Sequence, residues 1–326
     1  MRYNELYDSR IPEKDVMKRK ILIALCVVLA LVLLAVGASA AYIRHMLGKI
    51  RREEPVLPPA TSQPAETQST QPAPATEPAP TEPEDVTLNF LLIGQDKEEN
   101  ESRQRSDVMI LATVNPRTAQ LTLTSLQRDM HLPIPGNGEQ RLNAAYYLGG
   151  MQLLGQTLLE NFELTVDGMV AVDFGGFSEI VDMLGGVSIT LTEAEARELR
   201  LSPGQQTLGG KKALEYARLR SIDSDFHRTN RQRTVLIALL ERHREFSLLD
   251  LHRLLSACLS LTSTNLTDSQ ILSYATELFP LLRKLEITSG SVPLDGQYTE
   301  AVVADREVLI PDIPAITETL HEITQE

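Results

Sequence analysis

The sequence feature that most restricts the fold is an apolar run near the N-terminus. Residues 21–43 form 23 consecutive positions without a charged side chain, and about 20 helical residues suffice to cross a bilayer. A secretory signal peptide is the alternative, because small residues near the end of the run resemble a cleavage site, but signal cores are usually about 7–15 residues long. We therefore predict an uncleaved transmembrane helix over residues 21–43, preceded by a short cytoplasmic tail over residues 1–20.

The segment that follows the apolar run is predicted to be a spacer. Residues 55–84 contain nine prolines among Thr, Ser, Gln, Ala and Glu, a composition that favours extended conformers and cannot bury a core. We assign residues 44–85 to a Pro-rich extracytoplasmic linker and residues 86–326 to one folded domain. Basic residues flank the apolar run on both sides, so the charge rule alone does not orient it. The dense cluster of residues 18–20 favours a cytoplasmic N-terminus.

The predicted domain is acidic but contains a local concentration of arginine. Residues 86–326 hold 21 Lys and Arg against 33 Asp and Glu, whereas nucleic-acid binding depends on an excess of basic side chains. We therefore expect no nucleic-acid partner. The arginines of residues 216–233 are Arg218, Arg220, Arg228, Arg231 and Arg233. Planar guanidinium groups suit bidentate phosphate binding, so this cluster predicts an anion site, with a solvated basic helix start as the alternative.

Apolar periodicity predicts a sheet covered by helices. Three short runs rich in β-branched and apolar residues read as adjacent core strands, at residues 86–93, 108–114 and 120–126. Strand and helix patterns then alternate up to residue 191, which is typical of an α/β fold. After residue 211 the chain is predicted to be mostly helical. A late strand is expected at residues 285–292, followed by a largely irregular return over residues 293–314.

Charged side chains fall at the ends of the first three predicted strands. Asp96 follows the first strand, Arg105 and Asp107 precede the second, and Arg128 and Asp129 follow the third. Because adjacent strands place their ends side by side, we expect these charges to form one site. The sequence lacks the GxSxG, P-loop, HExxH and CxxC signatures, which disfavours serine hydrolases, P-loop enzymes and zinc proteases.

These charges and their flanking motifs resemble the LytR-CpsA-Psr family over residues 89–244. The matching motifs are NFLLIGQD, RSDVMILATVNP, SLQRD, RLNAAYYLGG, VAVDFGGFSEIVDMLGGV, LEYARLR and DFHRTNRQR. The resemblance implies an α/β/α sandwich with a central mixed β-sheet and an apolar lipid-binding tunnel. It also implies a single-pass cell-membrane protein with a cytoplasmic N-terminus and an extracytoplasmic catalytic domain.

The resemblance further implies a Mg²⁺-dependent phosphotransferase. Such an enzyme moves a glycopolymer, for example teichoic acid or capsule, from a polyprenyl-pyrophosphate carrier to peptidoglycan. Asp96 and Asp107 resemble the magnesium-binding aspartates. The residues that resemble the pyrophosphate-binding set are Arg105, Arg128, Arg218, Arg220, Arg228 and Gln232. Four of these arginines, at positions 105, 128, 218 and 220, are also candidate catalytic residues together with Asp107, and either Asp107 or Asp129 is a candidate general base.

Two other interpretations of the site stay open. A hydrolase would deliver the same phosphorus to water, and the choice of acceptor depends on the shape of the cleft. A non-catalytic receptor or regulator for lipid-linked wall precursors would not need a bound metal, so the presence of Asp96 and Asp107 favours chemistry. Three positions depart from the family pattern. Gln95 stands where a small hydroxyl residue is usual, Gln127 where proline is usual, and Arg141 where lysine is common.

Overall fold

The structure of the protein, a computed structural model, describes residues 87–95, 105–220, 222, 225–242 and 260–325, together with the backbone of residues 51–52. These residues belong to one compact unit, Ile50–Glu326. The predicted transmembrane helix, nearly all of the predicted linker and Asp96 lie outside the described residues. Among the described helices, none has both the length and the apolar character that a membrane span requires.

A seven-stranded mixed sheet forms the centre of the domain. In spatial order its strands are β1 (Arg51–Arg52), β10 (Thr262–Thr264), β7 (Gly168–Asp173), β2 (Leu88–Gln95), β3 (Ser106–Asn115), β4 (Gln120–Leu126) and β11 (Glu286–Val292). The pairs β10–β7, β2–β3 and β3–β4 are antiparallel, whereas β1–β10, β7–β2 and β4–β11 are parallel. The predicted adjacency of the first three strands is confirmed.

Helices and short hairpins complete the described part of the domain. The helices are α1 (Asn143–Phe162), α2 (Phe174–Met183), α3 (Glu193–Leu199), α4 (Gly210–Ala217), α5 (Asp225–Arg242), α6 (Asp268–Leu278) and α7 (Ile313–Gln325). The hairpins pair β5 (His131–Ile134) with β6 (Gly138–Arg141), β8 (Val187–Leu191) with β9 (Gly204–Leu208), and β12 (Tyr298–Val303) with β13 (Arg306–Pro311).

The central sheet is covered by helices on both faces. Along β3 nearly every residue is buried, as expected of a strand that has no solvent-facing side. Leu91 and Leu111 share a core with side chains of α1 and α7. Ile110 and Leu121 belong to a second core that is covered by α5 and α6. The predicted α/β/α sandwich with a central mixed sheet is therefore observed.

A further core holds the segment that carries two of the predicted site arginines. The β8–β9 hairpin packs with α2, α3, α4 and α5 around buried apolar side chains, which include Val181, Ile189 and Val235. Leu219, which lies between Arg218 and Arg220, is partly buried against the same cluster. This core therefore fixes the end of α4 beside α5.

The C-terminal part of the chain is more regular than predicted. The expectation of a largely irregular return over residues 293–314 is wrong, because β12 and β13 form a hairpin there and α7 begins at Ile313. Ala304 and Asp305 form the two-residue turn with φ angles of 49° and 60°. Asn and Gly usually occupy such positions, so the sequence lacks the dipeptide that normally signals a hairpin.

Leu111 offers a test of the core assignment. Its side chain is fully buried in β3, so Leu111→Ala should lower the free energy of unfolding by about 2–5 kcal/mol through lost burial and a residual cavity. Denaturant unfolding measures this loss. Val302→Ala is the control, because Val302 is 70% exposed and its truncation should change stability by less than about 0.5 kcal/mol. Equal effects of the two substitutions would contradict the placement of β3.

Candidate active site

Three charged groups of the predicted site meet where β3 begins and β4 ends. Because the two strands are antiparallel, the start of β3 lies beside the end of β4. Arg128 is the second residue after β4, and its Nη1 donates to Oδ1 of Asp107 at 2.6 Å. Its Nε donates to Oδ2 of Asp129 at 3.3 Å. The expectation that neighbouring strand ends bring Asp107, Arg128 and Asp129 together is confirmed.

Asp225 connects this network to α5. Its Oδ2 accepts hydrogen bonds from Nη2 of Arg128 at 3.3 Å and from Nη2 of Arg228 at 3.0 Å. Its Oδ1 lies 2.8 Å from Nη1 of Arg228, an ion-pair contact that adds to the hydrogen bond through Nη2. Asp225 was not among the predicted site residues. In the predicted helix, Asp225 lies three residues before Arg228, and side chains at this spacing are neighbours on a helix. This spacing is the sequence signal that could have identified Asp225.

Arg218 and Arg220 reach the site from the end of α4. Arg218 is the C-terminal capping residue of α4, and its guanidinium carbon lies 4.3 Å from the ring centroid of Phe174, a cation–π distance. Nη2 of Arg220 lies 4.0 Å from Oδ2 of Asp107, and 58% of the Arg220 side chain is exposed. Phe174, the first residue of α2, is a further site residue that the sequence analysis did not single out.

A cavity of about 300 Å³ connects these charges with the interior. Its walls are mostly apolar and are formed by Leu92, Ile93, Val108, Ile110, Val170, Val172, Phe174, Phe177, Ile180, Leu214, Ala217, Leu236 and Leu239. Its charged and amide lining groups are Asp107, Arg218, Arg220, Arg228 and Gln232. On α5, positions 228, 232, 236 and 239 share one helical face. One face of a single helix therefore lines both the polar and the apolar parts of the cavity.

The arginines are crowded enough to favour an anion between them. Burial lowers the pKa of Arg228, and the charges of Arg128 and Arg220 act in the same direction. Burial would raise the pKa of Asp225, but Arg228 and Arg128 outweigh it and hold this pKa below its ordinary value. Within the described residues, Arg128, Arg141, Arg218, Arg220 and Arg228 outnumber the carboxylates of Asp107, Asp129 and Asp225 around them. A bound phosphate group would offset the excess positive charge.

The remaining arginines of the sequence cluster have a different role. Arg231 and Arg233 are buried and do not line the cavity. Nη2 of Arg231 donates to the backbone carbonyl of Leu219 at 2.7 Å, and Nη1 of Arg233 donates to the hydroxyl of Ser125 at 2.6 Å. The arginine count in the sequence therefore overstates the number of side chains that can contact a ligand in this cavity.

Other predicted residues lie near the cavity without lining it. Arg105 precedes β3 by one residue, and Arg128 is half-buried behind Asp107, with 16% of its side chain exposed. Gln127, which departs from the family pattern, is buried and donates to the hydroxyl of Thr229 at 3.3 Å. This hydrogen bond joins the residue after β4 to α5. Gln127 precedes Arg128 in the chain, and Thr229 follows Arg228.

A magnesium ion fits the chemistry of Asp107. Within the described residues, no group of three or more His, Cys, Asp or Glu side chains could hold a metal ion. Mg²⁺ in phosphoryl-transfer sites, however, usually binds one or two carboxylates together with phosphate oxygens and waters. Oδ1 of Asp107 accepts from Arg128, whereas Oδ2 is 4.0 Å from Arg220, beyond hydrogen-bond distance. Oδ2 is therefore placed to contact a cation that enters with a phosphate ligand.

The fold and the site together define an α/β/α sandwich with an apolar cavity whose mouth is lined by arginines. The family model for the LytR_cpsA_psr family matches residues 60–322 of the chain. The chain belongs to the LytR-CpsA-Psr family.

Some similar proteins are named transferases and others regulatory proteins. The polyisoprenyl-teichoic acid–peptidoglycan teichoic acid transferase TagU of Oceanobacillus iheyensis is 37% identical over 169 residues, which are 49% of this chain and 52% of TagU. The chain thus spans about half the length of this relative. The regulatory protein MsrR of Staphylococcus aureus is 29% identical over 222 residues, covering 66% of this chain and 67% of MsrR.

A solved structure has the same fold. TagT bound to LIIa-WTA superposes with a TM-score of 0.60 at 25% identity, over 75% of this chain and 93% of TagT. The similarity thus extends over three quarters of the chain.

Phe174 and Phe177 allow the cation–π contact to be tested. Phe174→Leu keeps an apolar cavity wall but removes the ring beneath Arg218, so affinity for inorganic pyrophosphate should fall about fivefold, equivalent to roughly 1 kcal/mol. Titration calorimetry measures this affinity. Phe177→Leu is the matched control, because Phe177 lines the same cavity, and its replacement should leave the affinity within about twofold. The same loss of pyrophosphate affinity in both variants would show that the contact between Phe174 and Arg218 does not contribute to that affinity.

Proposed function

We propose that this chain is a phosphotransferase that moves a glycopolymer from a polyprenyl-pyrophosphate carrier to peptidoglycan. One observation carries the proposal: the same cavity has an apolar interior and an arginine-lined mouth. A polyprenyl chain is apolar and a pyrophosphate is anionic, so the two parts of the donor match the two parts of the cavity. The name of the O. iheyensis relative, a polyisoprenyl-teichoic acid–peptidoglycan teichoic acid transferase, supports this donor and acceptor.

The proposed reaction exchanges one phosphorus–oxygen bond for another. A peptidoglycan muramic acid hydroxyl attacks the sugar-linked phosphorus, and the bond from that phosphorus to the bridging oxygen breaks. The lipid phosphate leaves with the bridging oxygen, and the hydroxyl proton passes to a base. Arg218, Arg220 and Arg228 line the mouth, where they stabilise charge that develops on the bridging and equatorial oxygens.

Asp107 is the better placed of the two candidate bases. It lines the cavity, whereas Asp129 is held between Nε of Arg128 at 3.3 Å and Nη1 of Arg141 at 2.9 Å. Burial raises the pKa of Asp129 despite these two arginines, which by itself would favour a base, but Asp129 does not line the cavity. Asp129 therefore serves mainly to hold Arg128 in place, and Asp107 is the carboxylate within reach of an acceptor hydroxyl.

Magnesium belongs to this proposal as the cofactor. Asp107, together with Asp96, would hold the ion, and a bound Mg²⁺ neutralises pyrophosphate charge that the arginines leave uncompensated. The arginines and Gln232 then bind and orient the phosphate oxygens, and the apolar walls exclude water from the prenyl chain. The proposal also places the domain outside the cell, anchored by residues 21–43, where a membrane-embedded donor and peptidoglycan are both within reach.

The arginines provide the first test of this function. Arg218→Lys and Arg220→Lys keep the charge but lose the planar fork, so each should lower transfer from a synthetic lipid-pyrophosphate glycan by about tenfold or more. Mass spectrometry of the products measures the rate. Arg242→Lys is the matched control, because Arg242 is exposed in the last turn of α5, and exposed charges tolerate this exchange. Near wild-type transfer by both site variants, with unchanged thermal stability, would refute the pyrophosphate assignment.

Asp107 provides the second test. Asp107→Ala removes a proposed metal ligand and the proposed base, so transfer should fall by about 100-fold or more while the fold is retained. The assay compares rates with added magnesium and with a chelator, and circular dichroism checks the fold. Asp295→Ala, an exposed carboxylate outside the cavity, should transfer at the wild-type rate. Full activity of Asp107→Ala, or of the wild type in chelator, would be incompatible with the proposed metal site.

A further inference from the structure

Arg231 is buried beside the site without lining the cavity. It lies on α5 three residues after Arg228, and only 4% of its side chain is exposed. Its Nη2 donates to the backbone carbonyl of Leu219 at 2.7 Å. Leu219 lies between Arg218 and Arg220, so this hydrogen bond holds the peptide that carries both side chains.

The segment around Leu219 is also held by backbone hydrogen bonds and by the packing of the Leu219 side chain. On its N-terminal side, the amide of Arg218 donates to the carbonyls of Leu214 and Glu215, and the amide of Leu219 donates to the carbonyl of Tyr216 at 3.3 Å. These bonds tie the segment to α4. The Arg231 hydrogen bond instead ties it to α5, the helix that supplies Arg228 and Gln232 to the same mouth.

Glu195 holds the other side of the Arg231 guanidinium. Its Oε1 lies 3.7 Å from Nη1 of Arg231, and its Oε2 accepts hydrogen bonds from the amide and the hydroxyl of Thr192, each at 3.0 Å. Thr192 and Glu195 form the capping box of α3, so the carboxylate has a fixed position. Burial and the charge of Glu195 raise the pKa of Tyr216 to about 12, which keeps its phenol neutral beside this pair.

We propose that Glu195 and Arg231 are positioning residues that fix the Leu219 peptide so that Arg218 and Arg220 face the pyrophosphate of the donor. This inference rests on the proposed function. Glu195 contacts Arg231, and Arg231 donates to the Leu219 carbonyl. These contacts make the position of the Leu219 peptide at the mouth of the cavity depend on the position of α3. Two separate guanidinium nitrogens contact the carboxylate and the carbonyl. The single nitrogen of a lysine cannot reproduce both contacts in the same geometry.

Arg233 is the matched control for Arg231. It lies two residues further along α5, is similarly buried, and donates to the hydroxyl of Ser125 at 2.6 Å and to the side-chain carbonyl of Asn230 at 3.2 Å. Both arginines stabilise the fold, but only Arg231 contacts the segment that carries the site arginines in this way. A purely structural role for Arg231 therefore predicts the same consequences for both residues.

The test measures binding of inorganic pyrophosphate to the full-length protein by titration calorimetry, below the onset of unfolding. Arg231→Lys should weaken binding about tenfold, whereas Arg233→Lys should change it by less than about threefold, even if both lower the melting temperature equally. In an Arg218→Lys/Arg220→Lys background, adding Arg231→Lys should cost less than about twofold, because residues that act through one another are not additive. Equal losses for Arg231→Lys and Arg233→Lys, or a full tenfold loss in that background, would overturn the proposal.

Glu195→Gln keeps the shape of the side chain but removes the charge that pairs with Arg231, so it should reproduce part of the loss of pyrophosphate affinity.

Glycopolymer transfer is measured separately on the same preparations. Pyrophosphate affinity decides the positioning role whether or not transfer occurs. Absence of transfer by a wild-type protein that binds pyrophosphate would instead count against the proposed function alone.

Discussion

The ion-pair network around Arg128 is the interaction on which the rest of the site depends. One guanidinium contacts Asp107 of β3, Asp129 at the end of β4 and Asp225 of α5. It therefore joins the central sheet to the helix that lines the cavity. Burial by itself lowers the pKa of Arg128, but Asp129, Asp107 and Asp225 outweigh this effect and raise the pKa, so the group stays charged. Removing one member of such a half-buried network would leave its partners uncompensated, which costs more than losing an exposed ion pair.

This network also explains how the cavity combines two kinds of surface. Arg128 and Asp225 position Arg228 at one end of a helical face whose next turns present Leu236 and Leu239 to the interior. The C-terminal end of α4 places Arg218 and Arg220 at the same mouth of the cavity. The repulsion among these arginines is relieved by an anion, whereas the apolar walls favour a hydrocarbon chain. An amphiphile with an anionic head satisfies both parts at once.

Much of this arrangement follows from local sequence patterns. The strand that contains Asp107 and the strand that precedes Arg128 are marked by short runs of apolar and β-branched residues, and the pairing of these two strands places the charges together. Helical periodicity from position 225 likewise predicts that Arg228 and Gln232 share a face. The helical periodicity does not reveal that Arg231 binds the Leu219 carbonyl and that Arg233 binds the Ser125 hydroxyl. These contacts depend on how α5 packs against β4 and the residues that follow α4. In the turn at Ala304 and Asp305, alanine is unusual at positive φ, and no Asn-Gly or Asp-Gly pair marks the hairpin. The contact of Phe174 with Arg218 joins segments 44 residues apart, so no local pattern predicts it.

The central claim is that the site delivers phosphorus to a peptidoglycan hydroxyl. The most direct measurement incubates the full-length protein with a synthetic lipid-pyrophosphate glycan, magnesium and peptidoglycan oligomers in ¹⁸O-labelled water, followed by mass spectrometry of the products. Transfer predicts a glycan joined to peptidoglycan through a phosphodiester that contains no ¹⁸O, together with released prenyl phosphate. A free glycan phosphate that has gained one ¹⁸O would identify water as the acceptor, and recovery of the intact donor would identify a binding protein; either result would contradict the account.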